Sequence, residues 1–289
     1  MGLLPVRLSK IHLLCDRRLP WSCYVAKPNP FKLSSESTSR NDMLEDRETL
    51  LRLAVFVATL SSMSLWEFWF PRREWHSEFR FRRLLNLSLM LINTLCVRLA
   101  LPVSAAGFAL IAQQQQWGLL RYIPLSEGAA FIISLILLDL AIYLQHVAFH
   151  RIPILWKVHR LHHADEDVDV TTGIRFHPLE ILLSAIFKLG MVVLIGPSPF
   201  CVMIFEILLN AMAMFNHSNV FIPLSLDRYL RCLVVTPDMH RIHHSVHTEE
   251  QNSNFGFNLS FWDYLFGSYR SLPRDGQVEM KLGISENDK

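Results

Sequence analysis

The chain has 289 residues, of which 51% are hydrophobic and 19% charged, and its formal net charge is +2. A mean hydropathy of +0.24, with the apolar residues gathered into long blocks, excludes an ordinary soluble domain and is a membrane signature. No basic stripe interleaved with aromatics points to nucleic acid, and five scattered cysteines without a CxxC pair exclude a disulfide framework or a zinc ribbon.

Residues 1–45 carry Pro20, Pro28, Pro30 and a polar run from Ser34 to Ser39, without sustained periodicity. They read as a disordered or non-native extension, with Met43 a candidate for the true first residue. The first span is expected from about Leu50 to Phe70, closed by the interfacial aromatics Trp66, Phe68, Trp69 and Phe70. A loop holding Arg72, Arg73, Arg80, Arg82 and Arg83 follows, which the positive-inside rule places in the cytoplasm. A second span, about Leu84 to Leu101, is stopped by Pro102. Residues 104–128, with Gln113 to Gln116, read as the opposite side or an interfacial segment. A third span, about Ala129 to Gln145, returns to the cytoplasm and delivers His146 and His150 where it leaves the lipid.

Leu179 to Phe215 is too long for one span and is interrupted by Gly196-Pro197-Ser198-Pro199. Two arms of about sixteen residues, each about 24 Å long, predict a helical hairpin that enters and leaves on one face. The rest is polar enough for cytoplasmic helices and loops, ending in a flexible tail at 276–289. The expected fold is an all-α integral-membrane helical bundle of about three spans plus a hairpin, with a cytoplasmic polyhistidine cap, in a domain covering 46–275.

Ten of the thirteen histidines fall between His146 and His244, eight of them in three groups. These are His146-Val-Ala-Phe-His150, His159-Arg-Leu-His162-His163 and His240-Arg-Ile-His243-His244. Spacing of i, i+3, i+4 on a helix turns imidazoles onto one face. Eight nitrogen ligands exceed what one metal ion uses, so the count points to two metals. Imidazole suits Fe, Zn, Cu and Ni alike, and closed structural zinc sites are usually rich in cysteine, which these motifs lack. Cationic imidazoles packed this closely would repel, so the cluster is expected as neutral ligands around metal. Asp139 lies two helical turns before His146. Asp139, Asp165, Glu180, Asp238 and Asp263 are candidates to accept the outward N–H of ligating imidazoles and so fix their tautomers.

The chain resembles the fatty acid hydroxylase superfamily, which includes sterol desaturases, methylsterol oxidases and alkylglycerol monooxygenase. The resemblance covers roughly Leu50 to Arg270. It rests on the histidine groups beside membrane spans, on Trp156 to His163, on Arg175-Phe176-His177-Pro178-Leu179-Glu180, and on Pro237 to Ser245. Asn254-Phe255-Gly256 and Phe261-Trp262-Asp263 complete the pattern. It implies an integral-membrane diiron centre using O2 and two external electrons. The implied ligands are His146, His150, His159, His162, His163, His240, His243 and His244, with His217 at a further ligand position. Many relatives have a paired histidine where only His217 stands here, which leaves a position for water, Asn216 or His177. His177 itself is implied as a ligand or as a partner of one.

The resulting expectation is a membrane-bound, O2-dependent oxidoreductase that hydroxylates or desaturates a lipid such as a sterol or fatty acyl chain. No flavin or dinucleotide fingerprint is present, so electrons are expected from a separate ferredoxin-like or cytochrome b5-like donor with its reductase. The alternative is a non-catalytic membrane metal-binding or metal-handling protein that uses the same histidines. Zinc hydrolysis is weak, because neither histidine motif sets a glutamate beside a ligand as HExxH does.

Overall fold

The computed structural model describes residues 35–75 and 79–284, so the expected N-terminal extension lies outside the described residues up to position 34. The chain divides into two units, Met1–Asp46 and Arg47–Lys289. Helix α1 (Ser35–Trp69) opens well before the apolar run, so residues 35–45, expected to lack structure, are helical where described. In the second unit follow α2 (Phe79–Ala100), α3 (Ala105–Gln114), α4 (Glu127–Arg151), α5 (Pro153–His163), α6 (Pro178–Ile195) and α7 (Pro199–His217). Shorter helices complete it: α8 (Leu224–Leu230), α9 (Pro237–His243), α10 (Thr248–Gln251) and α11 (Phe261–Phe266). No strand occurs among the described residues.

Five stretches are long and apolar enough to cross a membrane: Arg47–Trp69, Phe81–Tyr122, Glu127–Arg151, Pro178–Ile195 and Pro199–His217. Leu53, Val57, Leu91, Leu95, Ile132 and Leu183 on them face outward, as lipid-facing side chains must. The protein is a multi-pass, all-helical membrane protein. Within the stretch 104–128, residues 105–114 form helix α3. Ser104 caps it by accepting from Gly107 N–H at 3.0 Å. Ala106, Ala109 and Ala112 present a small-residue face that packs on Val192 of α6 and Val202 of α7.

The hairpin forms where the sequence break places it. Gly196 ends α6 in the left-handed region at φ +78°, and Ser198 caps α7 by accepting from Cys201 N–H at 3.2 Å, with Pro199 in its first turn. The turn sits against Gly118, itself at φ +110°. A Cβ there would stand 2.1 Å from Gly196 Cα, so the close approach requires glycine.

At the other end of the bundle, the arginine loop is tied to the polar cap. Arg72 pairs with Asp238 at 3.1 Å, and Arg73 donates to Met280 O at 2.8 Å. Arg82 pairs with Asp165 at 2.8 Å and also with Asp169, while Arg83 reaches Asp169 at 2.8 Å and Glu67 at 2.6 Å. Glu67, buried at the end of α1, accepts from Val170 and Asn219 N–H at 2.7 Å each. The loop and the histidines therefore share one end of the bundle. The expected tail is also bound there through residue 284. Met280 and Leu282 are buried against Val168, Val246 N–H donates to Lys281 O, and Gly283 N–H donates to His244 O, both at 3.1 Å. A segment that supplies two core side chains cannot remain a tail.

Candidate metal centre

Four local devices bring the histidines together. Helix α4 carries His146 and His150 at i, i+4 on its last turns. Ile152 closes α4 by donating to Ala148 O at 2.9 Å, and Pro153 starts α5 at once. The missing proline N–H costs nothing at a helix start, so the chain reverses sharply and α5 lays His159, His162 and His163 against α4. His217 ends α7. Thr236 caps α9 by accepting from Met239 N–H at 3.3 Å, with Pro237 in the first turn, and α9 delivers His240 and His243, with His244 at its C-cap.

Nine imidazoles converge in two sets. His146, His150, His159, His163 and His243 form one, and His162, His217, His240 and His244 the other, with the ligand atoms of each set within 4.8 Å of one another. The sets cut across the sequence motifs. His162 and His163 are neighbours in the chain but belong to different sets, as do His243 and His244. His163 of the first set stacks on His244 of the second, with ring centroids 4.4 Å apart. Eight of the nine rings are buried and His150 is nearly so.

The outward nitrogens fix the tautomers. His146 Nδ1 donates to Phe255 O at 2.8 Å, His162 Nδ1 to Arg175 O at 3.0 Å, His217 Nδ1 to Ala213 O at 2.7 Å and His243 Nδ1 to Ser253 O at 2.8 Å. A carbonyl only accepts, so each of these Nδ1 atoms carries the proton and each Nε2 presents a lone pair inward. His159 Nδ1 meets Glu180 Oε1 at 2.6 Å. His240 Nε2 stands 3.1 Å from His217 Nε2, and between rings whose tautomers are both fixed two contacts conflict, one in each set. His146 and His243 oppose their Nε2 atoms at 3.0 Å, and so do His162 and His217. Two lone pairs at that distance repel unless a cation lies between them.

A proton is a poor solution. Burial, followed by repulsion from neighbouring imidazoles, pushes His162 well below the ordinary histidine range. His243 falls to about 3, also chiefly through burial. The Nε2 atoms of His150 and His159 and both ring nitrogens of His163 and His244 have no protein partner. Converging neutral imidazoles with orphaned inward nitrogens fit a divalent transition metal in each set.

Of the acidic residues expected to hold imidazoles, only Glu180 does. Asp139 accepts from Trp262 Nε1 at 2.8 Å and from Leu259 N–H. Asp165 is taken by Arg82 and Thr172, and Asp238 by Arg72 and Arg241. Asp263 accepts from Phe255 and Gly256 N–H at 2.7 and 2.8 Å, steadying the carbonyl that His146 uses. Backbone carbonyls do most of the work assigned to carboxylates, and the sequence gives no signal for Ala213, Arg175 or Ser253 in that role. Phe255 and Arg175 do lie in stretches that the sequence singles out, Asn-Phe-Gly and Arg-Phe-His-Pro, though not as carbonyl acceptors. His177 stands apart from both sets. Its Nδ1 accepts from Leu179 N–H at 3.1 Å and caps α6, a role that the following Pro178 favours. Asn216 donates to Phe257 O at 3.0 Å, and His217 is the fourth member of its set without a paired histidine.

Residues 131–268, which contain all nine histidines, match the family model described as fatty acid hydroxylase. The chain carries a fatty acid hydroxylase domain. An ornithine lipid hydroxylase from Rhizobium tropici is 29% identical over 155 residues, covering 52% of this chain and 45% of that protein. Alkylglycerol monooxygenase from Homo sapiens is 30% identical over 134 residues, 46% of this chain and 29% of its own length. Cholesterol 25-hydroxylase from Rattus norvegicus is 25% identical over 149 residues, 51% of this chain and 49% of its own length. The chain thus spans half or less of the length of these relatives. No solved structure matches it.

Proposed function

We propose that the fatty acid hydroxylase domain is an O2-dependent diiron oxidoreductase that hydroxylates or desaturates a membrane lipid. The observation that carries this reading is the five-and-four partition of neutral imidazoles, with one opposed lone-pair contact in each set, at the end of an apolar helical bundle. The relatives' names, all lipid hydroxylases or monooxygenases, supply the substrate class. Two irons held there would supply reduction of O2 by two electrons and oxidation of a C–H bond. Hydroxylation balances as one C–H bond, one O2, two electrons and two protons giving an alcohol and water. Desaturation removes a second hydrogen in place of oxygen insertion.

The chain's own residues do the rest. Carbonyl-held Nδ1–H groups keep His146, His162, His217 and His243 aimed inward before metal arrives, so little reorganisation is needed on binding. Burial keeps the imidazoles neutral and water out. The outward-facing apolar helices bring a lipid to the centre from the bilayer, with the electrons delivered by a separate ferredoxin-like or cytochrome b5-like protein. A cytoplasmic position for the centre is supported by the arginine loop, which the cap binds on the same side.

The test is metal analysis of the full chain purified in lipid, with O2-dependent consumption of a reductant and lipidomics of cells with and without the protein. Two irons per chain and a lipid gaining one oxygen or losing two hydrogens are expected. His162→Ala and His243→Ala, one from each set, abolish turnover while the chain still inserts in the membrane. Rapidly exchanging zinc without O2 chemistry, or activity retained in both variants, refutes the assignment.

A further inference from the structure

Outside the five apolar stretches, the cap exposes large apolar side chains that no described part of the fold covers. Two adjacent segments carry them. From α8 and the residues flanking it come Phe221, Leu226, Tyr229 at 76% exposure and Leu233 at 67%; from α11 come Leu265 at 56% and Phe266 at 54%. The segments are joined, because Val234 bridges Leu259, Ser260 N–H donates to Leu233 O and Ser260 Oγ donates to Arg231 O. Across 221–233 and 261–267 the acidic residues Asp227 and Asp263 are buried, and the only exposed charged side chain is Arg228. Water does not select such a surface.

Helix α11 is fixed to α4 below the level of the histidines. Trp262 Nε1 donates to Asp139, Tyr143 and Phe266 stack with centroids 5.3 Å apart, and the Tyr143 hydroxyl is 2.8 Å from Ser268 Oγ. Asp139 precedes His146 by seven residues, about 10 Å along the helix axis, and Tyr143 by three, about 4–5 Å. Both lie inside the apolar stretch Glu127–Arg151. A helix attached at those positions is therefore level with the lipid that surrounds α4, which itself exposes Leu144 next to Tyr143. Amphipathic elements of this kind settle about 5–10 Å into the headgroup–acyl boundary, which matches the depth set by Asp139 and Tyr143.

We infer that α8 and α11 form a membrane-seated surface, with their apolar side chains in the bilayer interface beside α4 and Arg228 at the level of lipid phosphates. The cap then grips the bilayer as well as standing at its edge. The segment between α9 and α11 that holds Phe255 against His146 lies next to lipid. This inference requires α4 to span the bilayer and does not depend on which metal the histidines hold.

Site-directed spin labelling of the full chain in phosphatidylcholine nanodiscs tests it. Labels go to Leu233→Cys, Leu265→Cys and Leu144→Cys, with Glu249→Cys on exposed α10 as the aqueous reference, in a chain whose Cys15, Cys23, Cys96 and Cys232 are serine. Accessibility to O2, which partitions into lipid, is compared with accessibility to a water-soluble nickel chelate. Labels at 233 and 265 are expected to favour O2 as the label at 144 does, and the label at 249 to favour nickel. If 144 reports lipid while 233 and 265 behave like 249, the surface faces water and the inference fails alone. If 233 and 265 are shielded from both reagents, a protein covers the surface, either a second copy or a redox partner, and the inference is overturned. If 144 itself reports water, the spanning assignment of α4 fails and the inference with it.

Discussion

Glu180 is the most informative residue to change, because among the described residues it is the carboxylate seen to touch one of the nine imidazoles. Its Oε1 lies 2.6 Å from His159 Nδ1, both side chains are buried, and it sits in the first turn of α6, where the helix dipole favours a negative charge. Glu180→Ala removes the acceptor and leaves a buried N–H unsatisfied, which costs about 1–3 kcal/mol. It also withdraws the negative charge that makes His159 a stronger donor. Losses at such outer partners run to about 10–100-fold in metal affinity, or about 1.4–2.7 kcal/mol, the same range by an independent route. Glu180→Gln keeps the shape and an acceptor and is expected to lose less. The assay is competition for iron(II) or cobalt(II) against a chromophoric chelator, using metal-stripped full-length protein in lipid, with metal-free unfolding as a control. Wild-type affinity in Glu180→Ala refutes the reasoning. So does an affinity loss accompanied by an equal loss of metal-free stability, which would make Glu180 a structural residue only.

Removal of metal by chelation is expected to lower the melting temperature, because the opposed Nε2 pairs His146–His243 and His162–His217 would lose the cation that the proposed centre supplies; an unchanged melting temperature after full removal counts against the centre. The metal-free protein is also expected to lose stability as pH falls. His162, His163, His240 and His244 are held well below the usual histidine range and His243 at about 3, each chiefly by burial, so the folded state stays neutral while unfolded imidazoles take protons below about pH 6.5. Each histidine then removes up to about 1.4 kcal/mol per pH unit on the acid side, and a flat profile in denaturant melts from about pH 8 to about pH 5 contradicts this. Gly118→Ala places a Cβ 2.1 Å from Gly196 Cα at φ +110° and is expected to cost about 1–3 kcal/mol in thermal melts, whereas Gly190→Ala, with nothing within 4 Å, is neutral or stabilising. Arg241→Met strands part of the charge of Asp238, which Arg241 holds at 2.5 Å in full burial, and is expected to cost about 3 kcal/mol by the same measurement.

The bundle was legible because its signals are local. Hydropathy marks each span, and Gly196 with two flanking prolines marks the hairpin turn. Helix α3 was not, because its buried face is alanine, which packs by being small rather than by being conspicuously apolar. The acids were misassigned for a different reason. Asp139, Asp165 and Asp238 sit at suggestive positions, but beside the nearby Thr172 and Arg241 they are claimed by Trp262, Arg82 and Arg72, more than eighty residues away in the chain and beyond any spacing argument. The histidine motifs supplied eight of the nine converging residues but not their partition. Neighbours on a helix diverge by about 100°, so His162 and His163 point into different sets, and the terminal turn of α9 separates His243 from His244 in the same way. Each HxxHH motif therefore serves both sets, and a backbone shift caused by truncating one histidine reaches the other set through its covalent neighbour. Histidine substitutions thus report on the centre as a whole. Glu180, which touches one ring of one set from outside, is the residue whose replacement can separate the two.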